Sequence, residues 1–158
     1  MSIKNKFQAG QTVVEVLIAT GVVALVMTAL MAAMTLSLQN SSQAKYKALA
    51  TKLGQEGMES FRQFRSNLGW ESFYTLLNAQ GSGDYCLNAV PTQTAQFQAL
   101  ASGQCSEYTI SRTGVNFKRE LDLEIISSDE IKFEVTVSWL DGADDKSTTV
   151  TQHFKNWR

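Results

Sequence analysis

Proline, cysteine and histidine are scarce in this chain of 158 residues, and each shortage excludes a class of protein. The chain has one proline, Pro91, two cysteines, Cys86 and Cys105, and one histidine, His153. A single histidine without a CxxC pair leaves no zinc site of readable spacing. No serine-histidine-acid or glycine-rich phosphate-binding motif occurs either. We therefore expect no enzyme activity, no cofactor and no resident metal.

Charge is scarce as well, above all in one long segment. The formal net charge is −1, and no broad basic surface suggests a nucleic-acid partner. Between Lys6 and Lys45 the chain has a single charged residue, Glu15. Residues 13–38 form an apolar run, and about 20 apolar residues suffice to cross the hydrocarbon core of a bilayer. We expect a membrane-spanning helix over 12–38, with membrane lipid as a partner.

Glu15 is the residue of this run that needs an explanation. A carboxylate inside a membrane segment is costly and is a functional-site hypothesis by default, usually with a partner charge. It stands five residues after Gly10, and a short polar leader with Lys4 and Lys6 precedes that glycine. A glycine, a carboxylate and then unbroken apolar sequence form the arrangement to be explained.

This arrangement resembles the class III signal of type IV pilins and type II secretion pseudopilins. The resemblance implies that a prepilin peptidase cuts between Gly10 and Gln11 on the cytoplasmic side and methylates the new amino terminus at Gln11. The family usually has phenylalanine where this chain has Gln11. Its major pilins commonly carry a proline in the helix, and this run has none. The missing proline favours a minor pilin or a type II secretion minor pseudopilin.

A new amine at Gln11 gives Glu15 a partner charge. In a filament of parallel helices, the amine of one subunit can approach the Glu15 carboxylate of its neighbour. Pairing in a low dielectric offsets the desolvation of either charge alone. The pair is therefore expected to set the register of assembly more than to add strength.

Other interpretations of this segment stay open. A conventional secretory signal has an apolar region of about 7–15 residues with a cleavage site after it, whereas this run is longer and Gly10 precedes it. A plain single-span anchor or a buried soluble helix explains the length of the run. Neither gives a reason for Glu15 or for its distance from Gly10.

The apolar run continues into an amphipathic stretch without a turn. Apolar residues recur on one helical face, namely Tyr46, Leu49, Leu53, Gly57, Phe61, Phe64 and Leu68. Gly69 follows them and is typical of a C-terminal cap. The pattern predicts one helix over 11–67 whose distal half packs on a head formed by 68–158.

The two cysteines lie in a stretch, 71–107, that is irregular by its pattern. In an exported domain they most simply form one disulfide, Cys86 to Cys105, which contributes about 3 kcal/mol in the chain-entropy model. Free thiols are the alternative. The resemblance adds that the cysteine-bounded regions of many pilins display a partner-binding surface.

From Tyr108 onward the apolar period changes to two, which predicts strands over 117–125 and 131–139. A third strand over 147–154 and an edge strand over 108–112 complete an antiparallel sheet whose apolar face the long helix covers. In the first of these strands the alternation places Arg119 in one row with Phe117 and Leu121.

Three further features carry competing interpretations. The turn with Asp141, Asp144 and Asp145 offers oxygen ligands for calcium but lacks the spacing of a calcium loop, so a solvated turn is favoured. His153 is interpreted as a surface or partly packed side chain. The aromatic residues after the helix are expected to pack on the head, with an adhesive surface as the alternative; they are Trp70, Phe73 and Tyr74.

The sequence thus predicts an α+β protein with a leader at 1–10, a long helix at 11–67 and a sheet-containing head at 68–158. The resemblance implies a single-pass protein of the cytoplasmic (inner) membrane with an extracytoplasmic head, which later enters a pilus or pseudopilus at the cell surface. Implied partners are the prepilin peptidase, other pilin or pseudopilin subunits and an inner-membrane assembly platform. The alternative from another class is a membrane-anchored binding or sensing domain that never polymerises.

Overall fold

The architecture is α+β, a long N-terminal helix followed by a small antiparallel sheet of five strands. The computed structural model describes the backbone of residues 8–157 and the side chains of residues 12–157. Two compact units make up the chain, one ending at Gln43 and the other beginning at Ala44. The predicted fold class is confirmed, whereas residues 1–7 of the predicted leader lie outside the described residues.

Helix α1 spans Gln8–Leu68, close to the predicted 11–67. Gly69 follows it with φ 73°, a left-handed conformation that glycine adopts without a Cβ clash. The predicted helix stop at Gly69 is therefore confirmed.

The remaining helices and strands follow Gly69 in short succession. In chain order they are α2 (Trp70–Gln80), β1 (Gly83–Cys86), α3 (Thr94–Gln98), β2 (Ile110–Arg112), β3 (Val115–Ser127), β4 (Glu130–Asp141) and β5 (Asp144–Lys155). The strand order is β1-β3-β4-β5, with β2 also paired to β3. All pairings are antiparallel.

The four predicted strands correspond to β2, β3, β4 and β5, but the prediction of irregular structure over 71–107 is wrong. That stretch contains α2, β1 and α3. Helix α2 forms because Phe73 and Leu77, one helical turn apart, are both buried in the core. Strand β1 forms by pairing with β3, where Tyr85 lies opposite Leu121.

The core lies between the apolar face of the sheet and the part of α1 that begins at Ala44. Phe61 of the helix contacts Phe133 of β4 with ring centroids 4.7 Å apart, and both side chains are fully buried. Two glycines bring the helix close to its neighbours. A Cβ at Gly54 would lie 3.0 Å from Val150 Cγ2, and one at Gly57 would lie 3.1 Å from Leu87 Cδ2.

Candidate functional site

The apolar segment of α1 buries none of its side chains. All residues from Thr12 to Gln43 are exposed, including Leu25 at 72% and Leu38 at 70%. The helix is long and apolar enough to cross a membrane, and it is the one candidate span among the described residues. A helix that is apolar on all sides requires an apolar environment, either lipid or other helices.

Three threonine hydroxyl groups within this segment are satisfied by the helix itself. Each of the three donates to a backbone carbonyl of the preceding turn: Thr20 to Leu17 at 3.0 Å, Thr28 to Leu25 at 2.9 Å and Thr35 to Met31 at 2.9 Å. A hydroxyl bonded in this way costs much less to place in an apolar environment than an unbonded one. These threonines are therefore compatible with a membrane or a packed bundle, a point that sequence reasoning had not addressed.

Glu15 is the exception in this segment. Its side chain is exposed on the helix, and no lysine or arginine between residues 12 and 157 forms an ion pair with it. Any partner charge for this carboxylate therefore comes from outside that range or from another molecule. The predicted role of Glu15 in assembly remains a prediction.

The predicted cleavage site lies within the first turns of α1. The backbone of Gly10 and Gln11 is helical, whereas the Gln11 side chain, Lys4 and Lys6 lie outside the described residues. Cleavage after Gly10 and methylation of Gln11 therefore remain predictions.

In the head, Cys86 and Cys105 form the predicted disulfide, with sulfur atoms 2.03 Å apart. The loop that it closes contains α3, whose Phe97 is fully buried. The Phe97 ring lies edge-on to Phe61 of α1 at a centroid distance of 5.7 Å. The disulfide loop is thus part of the core rather than a separate flap.

A buried arginine connects this loop to the helix and the sheet. Arg119 of β3 is 2% exposed. Its Nε donates to the carbonyl of Leu87 at 2.8 Å, and its Nη1 donates to the carbonyl of Leu53 at 2.7 Å. Burial lowers the pKa of Arg119, and the charge of Glu56 opposes that change. Guanidinium remains charged in proteins, so these carbonyls solvate a cation inside the head.

Further hydrogen bonds attach both ends of the loop to β3. The backbone N–H of Arg119 donates to Asn88 Oδ1 at 2.9 Å, and the N–H of Cys105 donates to Glu120 Oε1 at 2.9 Å. The alternation of β3 had placed Arg119 in the apolar row. Its carbonyl partners come from segments distant in sequence, which no local pattern identifies.

A cavity of about 410 Å³ opens beside the disulfide loop. It is lined by Cys86, Asn88, Ala89, Val90, Pro91, Gln96, Ala99, Leu100 and Ala101. Its wall is mainly apolar and lies in the region where the resemblance expects a partner-binding surface.

The predicted polar features of the head lie apart from this cavity. Asp144 in the β4–β5 turn forms an ion pair with Lys146 at 3.2 Å. No group of three or more metal-ligating side chains occurs in the part of the chain that the structure describes. His153 Nδ1 lies 2.9 Å from Glu130 Oε1, and Lys155 Nζ lies 3.3 Å from the same atom. These hydrogen bonds lower the pKa of Glu130, and the bond to His153 has the largest effect.

The aromatic residues after α1 pack on the head. Phe73 is fully buried and stacks on Phe133 at a centroid distance of 6.2 Å. Trp70 Nε1 donates to the carbonyl of Ser128 at 2.9 Å, while Tyr74 is partly buried against the same core.

No protein-family model, curated protein or solved structure matches this chain. An apolar N-terminal helix, an antiparallel sheet and a disulfide are compatible with a pilin-like fold.

Proposed function

We propose that this protein is a structural subunit of a type IV pilus or pilus-like filament. It is processed by prepilin peptidase after Gly10 and assembles through the apolar part of helix α1. Before assembly it is held in the inner membrane by residues 12–38, with its head on the extracytoplasmic side.

The contrast within α1 is the observation that carries this proposal. From Ala44 onward the helix has its own core, whereas residues 12–43 expose every side chain. An exposed apolar helix suits a protein that is first solvated by lipid and later by copies of the same helix. Both environments are apolar, so packing and polar pairing decide between them.

Glu15 supplies that polar pairing in the proposed mechanism. Cleavage after Gly10 creates a cationic amine at Gln11, four residues before the carboxylate. The amine of one subunit and Glu15 of its neighbour meet when the helices are in register, and a misplaced subunit leaves Glu15 buried without a partner. The implied partners are the peptidase, other pilin or pseudopilin subunits and an inner-membrane assembly platform.

A type II secretion minor pseudopilin is the runner-up; the absence of proline from residues 12–38 favours it and a minor pilin equally. A membrane-anchored binding domain that never polymerises is the alternative from another class. It explains the span but assigns no use to Glu15.

The amino-terminal mass of the protein from its native membrane tests the proposal. A mature chain beginning at Gln11, methylated or not, is expected, and Gly10→Ala should abolish it. An intact start at Met1 or Ser2 in both proteins would contradict the proposal and indicate a permanent anchor.

The register role of Glu15 has its own test. Glu15→Ala should be processed normally but enter filaments poorly, and normal entry into filaments would contradict the register role.

A further inference from the structure

The two edges of the sheet differ in what covers them. At the edge formed by β1, the N–H of Cys86 donates to the carbonyl of Ala101 at 2.9 Å. The N–H of Gly103 donates to the carbonyl of Asp84 at 2.7 Å, so the chain after α3 covers this strand. The other edge is β5, which pairs with no strand but β4 among the described residues. An uncovered edge strand is a template for pairing with another chain.

Alternate residues of β5 present their backbone groups to the open edge. Asp141 and Asp144 close the two-residue turn between β4 and β5, and the residues that close such a turn bond each other. Even-numbered residues therefore bond β4, an alternation that continues to Asn156, whose N–H donates to the carbonyl of Asp129 at 2.9 Å. The outward-facing residues of β5 are Asp145, Ser147, Thr149, Thr151, His153 and Lys155.

The middle of this edge has no partner within the described chain. Between residues 12 and 157, no hydrogen bond reaches the outward backbone groups of residues 147–153. Only at the end of the strand does α1 reach the edge, where Arg65 donates to the carbonyl of Lys155. Residues 147–153 also contain no aspartate, glutamate, lysine, arginine or proline. Charged residues and proline are the usual protection of an edge strand, so this edge is unprotected.

The β5 edge is complementary to a second copy of itself. Two β5 strands can run antiparallel with Val150 opposite Val150 on a twofold axis. In this register Thr149 lies opposite Thr151, and Ser147 lies opposite His153. Each outward-facing residue thus meets another outward-facing residue, as a hydrogen-bonded antiparallel ladder requires.

Opposite charges meet at both ends of the same register. Asp145 of one copy lies opposite Lys155 of the other, and the twofold axis repeats the pair. Asp145 is exposed and has a hydrogen bond to Tyr108. The Lys155 side chain is 47% exposed, and its Nζ lies 3.3 Å from Glu130. Both end groups therefore remain accessible to a second copy.

Helix α1 fits beside the same axis. A groove of about 680 Å³ lies between α1 and β5 and is lined by Lys52, Gln55, Glu56, Met58, Glu59, Arg62 and Val150. Gly54 lies between β4 and β5, because an added Cβ would be 3.0 Å from Val150 and 3.7 Å from Val137. With strands about 4.8 Å apart, α1 stands about 5 Å from the twofold axis at this level. The two α1 helices are then about 10 Å apart, an ordinary distance for packed helices.

We propose that two copies of this protein associate through β5, so that one antiparallel sheet continues across both heads. Each surface contacts its own equivalent, so the contact is isologous and closes as a dimer. The backbone ladder of residues 147–153 supplies most of the contact, while the exposed ion pairs at its ends contribute little alone and fix the register.

The dimer joins copies that point in opposite directions. Within the head, α1 and β5 run the same way, since Gly54 lies against Val150 and Arg65 reaches Lys155. The twofold axis therefore makes the two α1 helices antiparallel, and parallel subunits of one filament cannot meet in this way. The contact is expected between two filaments that run in opposite directions. That location rests on the proposed function, whereas the strand pairing does not.

A proline at the edge tests the strand pairing. Thr151→Pro removes an outward-facing N–H and leaves the bonds between β5 and β4 in place. In sedimentation of the full chain in detergent, the wild type and Thr151→Ala should form dimers, and the dissociation constant should rise severalfold in Thr151→Pro. The Cys86–Cys105 disulfide and resistance of the head to protease identify folded variants. Equal association of the two variants would overturn the inference, and a monomeric wild type would leave the edge to a strand of a different protein.

Cysteine cross-linking tests the register. Both native cysteines are in the disulfide, so an introduced thiol is the reactive one. Val150→Cys lies opposite itself at a Cα distance of about 4.5 Å, and mild oxidation should cross-link it. His153→Cys is the matched control, because its two copies lie about 20 Å apart along the strands. Equal cross-linking at both positions would indicate another arrangement and overturn the inference.

An exchange of the end charges tests the ion pairs. D145K and K155D should each weaken the dimer severalfold, and D145K/K155D should restore it, because the twofold axis again places opposite charges together. Absence of recovery in the folded double variant would contradict this register.

The outcomes separate the dimer from the filament proposal. Thr151→Pro filaments should form but should no longer associate side by side in electron micrographs. Unchanged association would contradict the contact between filaments. Failure of the wild-type chain to be cut after Gly10 would contradict the proposed function and leave the strand pairing, measured in detergent, intact.

Discussion

The two parts of helix α1 differ both in apolar content and in environment. Residues 12–43 expose every side chain, whereas the part from Ala44 to Leu68 buries Leu53, Phe61 and Phe64 against the sheet. The first part is apolar on all sides and the second on one face. A helix with apolar residues on one face can form a core with its own chain, whereas a helix that is apolar on all sides requires lipid or other chains.

Removal of a large core side chain should affect one part and spare the other. Phe61→Ala is expected to lower the free energy of unfolding of the head by about 4 kcal/mol, because it leaves a cavity between helix and sheet. Leu25→Ala, in the exposed segment, should leave that value unchanged. Urea unfolding followed by circular dichroism measures both, and equal losses would contradict the division of α1.

A charge in the exposed segment should have the converse effect. Leu25→Arg is expected to make membrane insertion less favourable by about 3 kcal/mol, since arginine is costly at the centre of a span. Resistance of the protein to alkaline extraction from membranes measures it. Leu140→Arg, at a half-exposed leucine of the head, is the matched control and should insert normally. Unchanged insertion of Leu25→Arg would exclude residues 12–38 as the span.

The polar attachment of the second part of α1 can be tested at Arg119. Arg119→Lys keeps the charge but cannot reach the carbonyls of Leu53 and Leu87 with the same planar geometry. A loss of about 2 kcal/mol in the free energy of unfolding of the head is expected. Arg112→Lys, exposed on β2, should change it by nearly nothing. Equal effects of the two substitutions would show that the buried hydrogen bonds contribute little.

The smallest effect concerns pH and is confined to the head. Burial, and then the charge of Asp84 opposite it, raises the pKa of Asp122. A carboxyl with a raised folded pKa stabilises the fold below its unfolded pKa, and this contribution is lost as pH rises through the folded pKa.

Asp122→Asn should therefore raise the free energy of unfolding at pH 7 by less than about 1 kcal/mol, which is measured as a higher melting temperature. Near pH 3 it should give no gain. Glu107→Gln, at an exposed loop carboxylate, is the control. A gain of the same size at both pH values would indicate a cause other than ionisation.

Short-range patterns predicted much of this fold. The apolar stripe from Tyr46 to Leu68 repeats over several helical turns, and the period of two in β3 and β4 repeats over several residues. Each pattern identifies its helix or strand without tertiary information. Helix α2 was missed although Phe73 and Leu77 have helical spacing, because the helix has only 11 residues between Gly69 and Gly81 and the signal is short. Strand β1 has 4 residues and no readable alternation.

The sequence by itself determined that this protein has a long apolar helix with one carboxylate, a break at Gly69 and a head with an antiparallel sheet. These properties follow from composition and periodicity, which act between neighbours in the chain. Tertiary structure alone decided that Arg119 bonds the carbonyls of Leu53 and Leu87, and that Phe97 of the disulfide loop packs edge-on against Phe61 of α1. Such contacts join segments far apart in sequence, so their geometry arises only when helix, loop and sheet pack together.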